Sequence, residues 1–106
     1  MYNSLPHLLM PIARNQQETG LVIDRLIAEM ERRAALFSPY AKKSLCNNID
    51  RYAELSGQRL PRVVAIFDEL ADVIIPGSEL ESDLIRLAKL GLAYGIHLIC
   101  ATQRPY

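Results

Sequence analysis

The run Val63-Val64-Ala65-Ile66-Phe67 constrains this chain more than any other stretch. Five apolar, mostly β-branched residues stop abruptly at two adjacent carboxylates, Asp68 and Glu69. A continuous apolar run of this length, rather than an alternating one, is the pattern of a buried parallel strand in an α/β sheet. A second run, Ile96–Ala101, is nearly as apolar and ends in Thr102-Gln103-Arg104-Pro105. Between the two, Leu80, Leu84, Leu87 and Ala88 recur at helical spacing over about 79–94. Acids crowd the first turn of that helix, as the helix dipole favours, and Gly95 stops it. Strand, helix and strand in this order make a right-handed parallel crossover. Asp68-Glu69 and Thr102-Gln103 then both fall at the carboxyl ends of strands, where open α/β sheets hold their ligands.

The rest of the chain supplies flanking elements. Residues 8–13 are apolar but interrupted by Pro11, which confines them to an edge-like or irregular strand. Asn15 is placed to cap the helix that follows. In that helix Ile23, Leu26, Ile27, Met30, Ala34 and Phe37 form one apolar face, and Arg25, Glu29, Glu31, Arg32 and Arg33 occupy the remainder. Ser38-Pro39 is expected to end it. A second helix is expected over about 42–55 with Leu45, Ile49, Tyr52 and Ala53 inward, closed by Ser56-Gly57-Gln58. Pro61 introduces the strand at 62–67. Residues 69–75 read as a short helix with Leu70, Val73 and Ile74 on one side, and Pro76-Gly77-Ser78 breaks the chain before the next helix.

Composition bounds what such a fold can do. At 106 residues the chain is one domain at most, and its 50% hydrophobic content suffices for a core. Twelve basic and twelve acidic residues balance, so no global field recruits nucleic acid or a membrane. Cys46 and Cys100 are far apart, with no C-x-x-C and no clustered histidine, and read as reduced, buried thiols. No stretch approaches the roughly 20 apolar residues of a membrane span, and the N-terminus lacks a signal-peptide pattern. A cytoplasmic protein without direct membrane contact is expected.

The strand tips carry the candidate chemistry. A strand-terminal carboxylate such as Asp68 can hold Mg²⁺ through its water shell, because Mg²⁺ dehydrates reluctantly and prefers one or two acids plus substrate phosphates. A second acid one residue on, Glu69, can point elsewhere and polarise an attacking water. The plainer reading of the same pair is that acids at a helix N-terminus satisfy backbone N–H groups and the dipole. Thr102 and Gln103 suit side chains that hydrogen-bond a terminal phosphate or its water, and they equally suit ordinary loop polarity after a strand. Arg104 can pair with phosphate or with Asp68 or Glu69. His97 reads as a core histidine, His7 has no metal-like partner at useful spacing, and Arg32-Arg33 and Lys42-Lys43 read as solvated helix faces. The G-x-x-x-x-G-K-[ST] loop that cradles nucleotide phosphates does not occur in these 106 residues.

Three separated stretches resemble the motor domain of the FtsK/SpoIIIE family of DNA translocases. Leu5-Pro6-His7-Leu8-Leu9, followed by Glu29-Met30-Glu31-Arg32-Arg33, is similar to that family's "PHLL…EMERR" region. Ile66-Phe67-Asp68-Glu69-Leu70-Ala71-Asp72 is similar to its Walker B segment, and Gly95-Ile96-His97-Leu98-Ile99-Cys100-Ala101-Thr102-Gln103-Arg104-Pro105 to its "GIHLxxATQRP". The resemblance implies a three-layer, RecA-like P-loop NTPase fold, present over 1–106 as a partial ATPase domain without the Walker A loop and the C-terminal strands. It implies ATP and Mg²⁺ as cofactors of the intact domain, a homo-hexameric ring, and double-stranded DNA as the cargo, in chromosome partition at cell division or in DNA transfer. By matched position, Asp68 would be the acid linked to Mg²⁺ through water, Glu69 the catalytic base, and Gln103 the γ-phosphate sensor with Thr102 beside it in cofactor binding. Any membrane tether would lie in a segment outside this one.

The departures shape the expectations. Pro76-Gly77-Ser78-Glu79 stands where relatives often carry lysines near the pore, and Leu92 where they often carry arginine. The chain alone, lacking the phosphate loop, is expected to be inactive as an ATPase. In that family the strand at 96–101 normally lies between the Walker B strand and the phosphate-loop strand, so here it would present an apolar edge, and the isolated chain is expected to self-associate or to be marginally stable. Two other readings remain open: a related ring ATPase of conjugation or secretion, and a non-enzymatic remnant that docks on an intact motor subunit.

Overall fold

A computed structural model of the chain describes residues 7–9, 15–44 and 46–101. Strand β1 (His7–Leu9) is followed by the long helix α1 (Gln16–Ser44) and a short helix α2 (Ile49–Ser56). Strand β2 (Arg62–Asp68) leads into a single helical turn α3 (Leu70–Val73), then helix α4 (Glu79–Leu90), a 3₁₀ turn over Gly91–Tyr94, and strand β3 (Ile96–Ala101). The sheet is parallel, in the order β1-β2-β3, with β2 central. Two strands carry most of it: β2 and β3 pair along their whole lengths, Val63 opposite Ile96 through Asp68 opposite Ala101, whereas β1 contributes three residues.

Local chemistry fixes the helix ends. The Asn15 carboxamide oxygen accepts from the Glu18 backbone N–H at 2.8 Å, and Asn48 does the same for Arg51 at 2.8 Å. Ser78 caps α4 by accepting from the Glu81 N–H at 3.2 Å. Gly57 ends α2 in the left-handed conformation (φ 77°). Gly95 has φ 80° where the 3₁₀ turn hands over to β3, and a Cβ there would collide with Ile49 Cδ1 and crowd Arg33 Nη1, so only glycine lets these three segments meet.

Several expectations are corrected. Pro39 lies inside α1 rather than ending it. An interior proline forfeits one backbone hydrogen bond, but Phe37 and Tyr40 on either side pack against Tyr52, at ring-centroid distances of 5.0 and 5.8 Å, and tertiary contact carries the helix through. Residues 42–44 therefore belong to α1, and α2 begins only after the Asn48 cap. The short helix at 69–75 shrinks to Leu70–Val73, and the last turn before Gly95 is 3₁₀. Strand β2 alternates in burial although its sequence does not: Val63, Ala65 and Phe67 are buried, while Val64 and Ile66 are half-buried. The cause is that α1, α3 and α4 all contribute to one aliphatic core, with Ile23, Leu26, Met30 and Leu87 against Val63, Ala65, Phe67 and Ile96. The described residues thus make an α/β arrangement with helices on one face of a small parallel sheet, and the third layer expected from the sequence is not among them.

A second, smaller core adjoins the first. Phe37, Cys46, Ile49 and Tyr52 are buried together, with Tyr40, Leu60 and Tyr94 packed against them. Phe37 stacks on Tyr52 and lies 4.9 Å from Tyr94, contacts of a kind that add about 0.5–1.5 kcal/mol to the area they bury. Burial pushes the Cys46 thiol above its usual range, but Cys100, expected inside, is exposed on the outer half of β3.

Candidate active site

The carboxyl ends of β2 and β3 lie side by side. Asp68 is the last residue of β2 and stands opposite Ala101, the last of β3. The ladder runs one step further, because the Glu69 N–H donates to the Ala101 carbonyl at 2.9 Å. Glu69 then turns away in the left-handed conformation (φ 51°, ψ 51°), the only positive-φ residue other than glycine among the described residues. The turn gives the two acids different headings: Asp68 continues the pleat of β2, and Glu69 leaves the strand line at the start of α3. A non-glycine residue in this region costs of order 1–2 kcal/mol, and such outliers collect at functional sites. Both acids are half-buried.

An open groove of about 520 Å³ lies beside Glu69, lined by Leu70, Ile74, Leu84, Ile85 and Cys100, with Glu81 at its margin. Among the described residues its lining is apolar with two carboxylates and no cation, a surface that by itself repels a triphosphate rather than cradling one. No group of three or more His, Cys, Asp or Glu side chains clusters as a metal cage among the described residues. Asp68 and Glu69 at the strand end are the one or two acids that a largely hydrated Mg²⁺ would need.

Of the site residues expected from sequence, Asp68 and Glu69 come together at the strand end. Thr102, Gln103 and Arg104 lie outside the described residues, as do Leu45, His7's side chain and the side chains of Lys42 and Lys43. His97 sits half-buried on the face of β3 that the helices leave open, rather than in the core.

Sequence reasoning misplaced one residue of consequence. Arg33 was expected among the polar side of α1 and is instead 1% exposed. Its Nη1 donates to the Tyr94 carbonyl at 2.7 Å, its Nη2 to the Pro61 carbonyl at 2.6 Å, and its Nε to Glu29 Oε2 at 2.6 Å. One guanidinium therefore ties the segments leading into β2 and β3 to α1, at the end of the sheet away from Asp68. The signal was present in the spacing, since positions 23, 26, 30, 33 and 37 form one stripe, but the charge argued against it. Glu29 takes both arginines: hydrogen bonding from Arg32 and Arg33, helped by their charge, holds its carboxyl below the usual range against the opposing pull of burial.

A small parallel sheet with helices packed on it and an acid pair at the carboxyl end of its central strand is consistent with a segment of a RecA-like fold. The comparisons agree with that class and narrow it. The FtsK/SpoIIIE family model matches residues 1–106, and the chain belongs to that family. It is 42% identical over 106 residues to the DNA translocase FtsK of Campylobacter jejuni, covering 99% of this chain and 11% of that protein. With FtsK of Staphylococcus aureus it shares 40% over 116 residues, covering 99% of this chain and 14% of the relative. Two solved structures show the same fold. ATPases 2 and 3 of EssC from Geobacillus thermodenitrificans superpose with TM-score 0.66 at 20% identity, over 93% of this chain and 22% of that one. The pCW3 conjugation coupling protein TcpA gives 0.60 at 22% identity, over 94% and 35%. The chain thus spans only a small part of the length of the relatives it matches. Among the described residues no helix is long and apolar enough to cross a membrane.

Proposed function

We propose that this chain is the Walker B and sensor segment of a hexameric ring motor that couples ATP hydrolysis to movement of double-stranded DNA, as in chromosome partition. The observation that carries the reading is the divergence of Asp68 and Glu69 at the end of the central strand, one along the pleat and one turned out by a left-handed backbone. Asp68 would hold Mg²⁺ through its water shell, and Glu69 would accept a proton from the attacking water. Bound Mg²⁺ supplies charge neutralisation on the phosphates. Gln103, with Thr102, follows β3 in the sequence and is suited to report a terminal phosphate. The phosphate cradle comes from a part of the motor outside these residues, so the chain alone binds ATP weakly and does not turn it over.

The test is a chimera of the Campylobacter jejuni FtsK motor carrying these 106 residues in place of its own matching segment. DNA-stimulated ATP hydrolysis is expected to persist, and Glu69→Gln within the chimera to abolish it while nucleotide binding remains. A chimera that assembles and hydrolyses ATP equally well with Glu69→Gln removes the assignment.

A further inference from the structure

Strands β2 and β3 are held unequally at their two ends. At the amino end the first rung, from the Val63 N–H to the Gly95 carbonyl at 2.8 Å, sits beside the buried Arg33 guanidinium. That group donates to the flanking Pro61 and Tyr94 carbonyls at 2.6 and 2.7 Å and so clamps both strands. At the carboxyl end the last rung runs from the Glu69 N–H to the Ala101 carbonyl at 2.9 Å. Its donor is the only residue other than glycine with positive φ among the described residues. Opening of the pair therefore belongs to the carboxyl end.

Glu69 lies between two anchored neighbours. Phe67, two residues before it, is fully buried. Leu70, the next residue, packs against the aliphatic core and accepts from the Ile74 N–H at 3.2 Å. Residue 69 is thus a one-residue joint. A residue with a Cβ prefers the right-handed region, so a left-handed backbone persists only while its surroundings over-determine it. Glycine would adopt the conformation freely, yet the chain carries a carboxylate there. The rung to Ala101 restrains the joint itself, and Ala101 is followed directly by Thr102-Gln103. Displacing that strand end moves the acceptor, and a freed Glu69 backbone turns its carboxylate to a new heading.

We propose that the Glu69 joint is a two-position switch, closed by the hydrogen bond to Ala101, through which the strand end leading to Thr102-Gln103 sets where the Glu69 carboxylate points. The proposal rests on the reading of Gln103 as the residue that reports a terminal phosphate. With that phosphate engaged the rung stays closed and the carboxylate keeps the left-handed position seen here. Without it the rung opens and the joint relaxes toward the right-handed region. Ala101 is then a positioning residue that acts through Glu69.

Amide hydrogen exchange at Glu69, resolved to the residue by fragmentation mass spectrometry, reads the rung directly. In the chimera described above, protection at Glu69 is expected to be at least tenfold higher with a non-hydrolysable ATP analogue than with ADP. Gln103→Ala should erase that difference, and Glu69→Gln should keep it, because the rung uses only the backbone. Glu69→Asn, which suits the left-handed region, should bring protection with ADP severalfold nearer the analogue-bound value. Glu69→Val, β-branched and a poor fit there, should lower protection in both states. The 106-residue chain without nucleotide gives a second reading, in which protection should rank Asn above the native Glu and Glu above Val. Equal protection with analogue and ADP overturns the proposal, as does a difference that survives Gln103→Ala. Loss of the ranking in the chain alone overturns it too. Turnover that survives Glu69→Gln would remove the base and leave these exchange readings as they are. Exchange readings that fail leave the loss of turnover in Glu69→Gln intact.

Discussion

The aliphatic core under the sheet and the aromatic core at the far end of α1 are built on different terms. Under the sheet, Ile23, Leu26, Met30, Val63, Ala65, Phe67, Leu87 and Ile96 come from four elements distant in sequence, and their contact is what holds the two site-bearing strands against the helices. In the aromatic core, Phe37, Tyr40 and Tyr52 come from the end of α1 and the next helix, with Tyr94 joining from before β3. The first is assembled through long-range pairing, the second mostly through a local helix–helix corner. Arg33 stands between them, and its three hydrogen bonds link the two cores. The strand tips with Asp68 and Glu69 depend directly on the first core and only indirectly on the second.

Phe67→Ala should break this comparison most severely. The ring is fully buried at the centre of the sheet core, and its loss should cost about 4 kcal/mol, read as a drop in urea midpoint with protection from hydrogen exchange lost in every element. Phe37→Ala should cost nearly as much in its own core, yet protection should fall first in α2 and the end of α1 while β2 and β3 keep theirs. Equal loss everywhere would show that the two cores are not separable.

Arg33→Met comes next. It leaves the Tyr94 and Pro61 carbonyls and the Glu29 carboxylate without their buried partner. A loss of about 3 kcal/mol is expected, and unfolding monitored by tyrosine fluorescence should then precede the loss of sheet signal. A single transition at an unchanged midpoint would remove the coupling role given to Arg33.

Smaller effects sharpen the picture. Glu69→Gly relieves the left-handed backbone and should stabilise the chain by about 1 kcal/mol, seen as a rise in Tm, even as it removes the proposed base. Glu29 is the acid-sensitive member of the clamp. Its carboxyl is held below the usual range in the folded state by Arg32 and Arg33, so its contribution is present above the unfolded carboxylate pKa of about 4.3 and is lost as pH falls through the lower folded value. Glu29→Gln should therefore flatten part of the stability loss on acidification below about pH 4, by less than about 1 kcal/mol, and leave the profile near neutrality parallel to the wild type.

Much of the site was legible before any coordinates. The apolar run from Val63 to Phe67 ends in Asp68-Glu69 because a buried strand tolerates charge only at its tip, and both β2 and β3 lie where their hydrophobic runs put them. The cap at Asn15 was likewise readable, since a side-chain oxygen two or three residues before a helical amide is a local matter. The expectation that Pro39 would end α1 failed because proline's local penalty was weighed without the Tyr52 ring that the following turn packs against. The expectation that Arg33 would be solvated failed because three partners, two of them carbonyls 28 and 61 residues away, offset the cost of burying the charge.

The sequence by itself determined the class of sheet, the parallel direction of its two main strands and the acid pair at their end, since each follows from short-range pattern and from how polar groups leave a core. Only the tertiary structure decided which face of the sheet the helices cover, that a buried arginine joins two cores, that Glu69 adopts a left-handed turn, and that the Ile99 and Cys100 side chains are exposed. Those features depend on which distant groups meet, and a meeting between residues far apart in the chain is set by the packing of the whole and not by the spacing around either one.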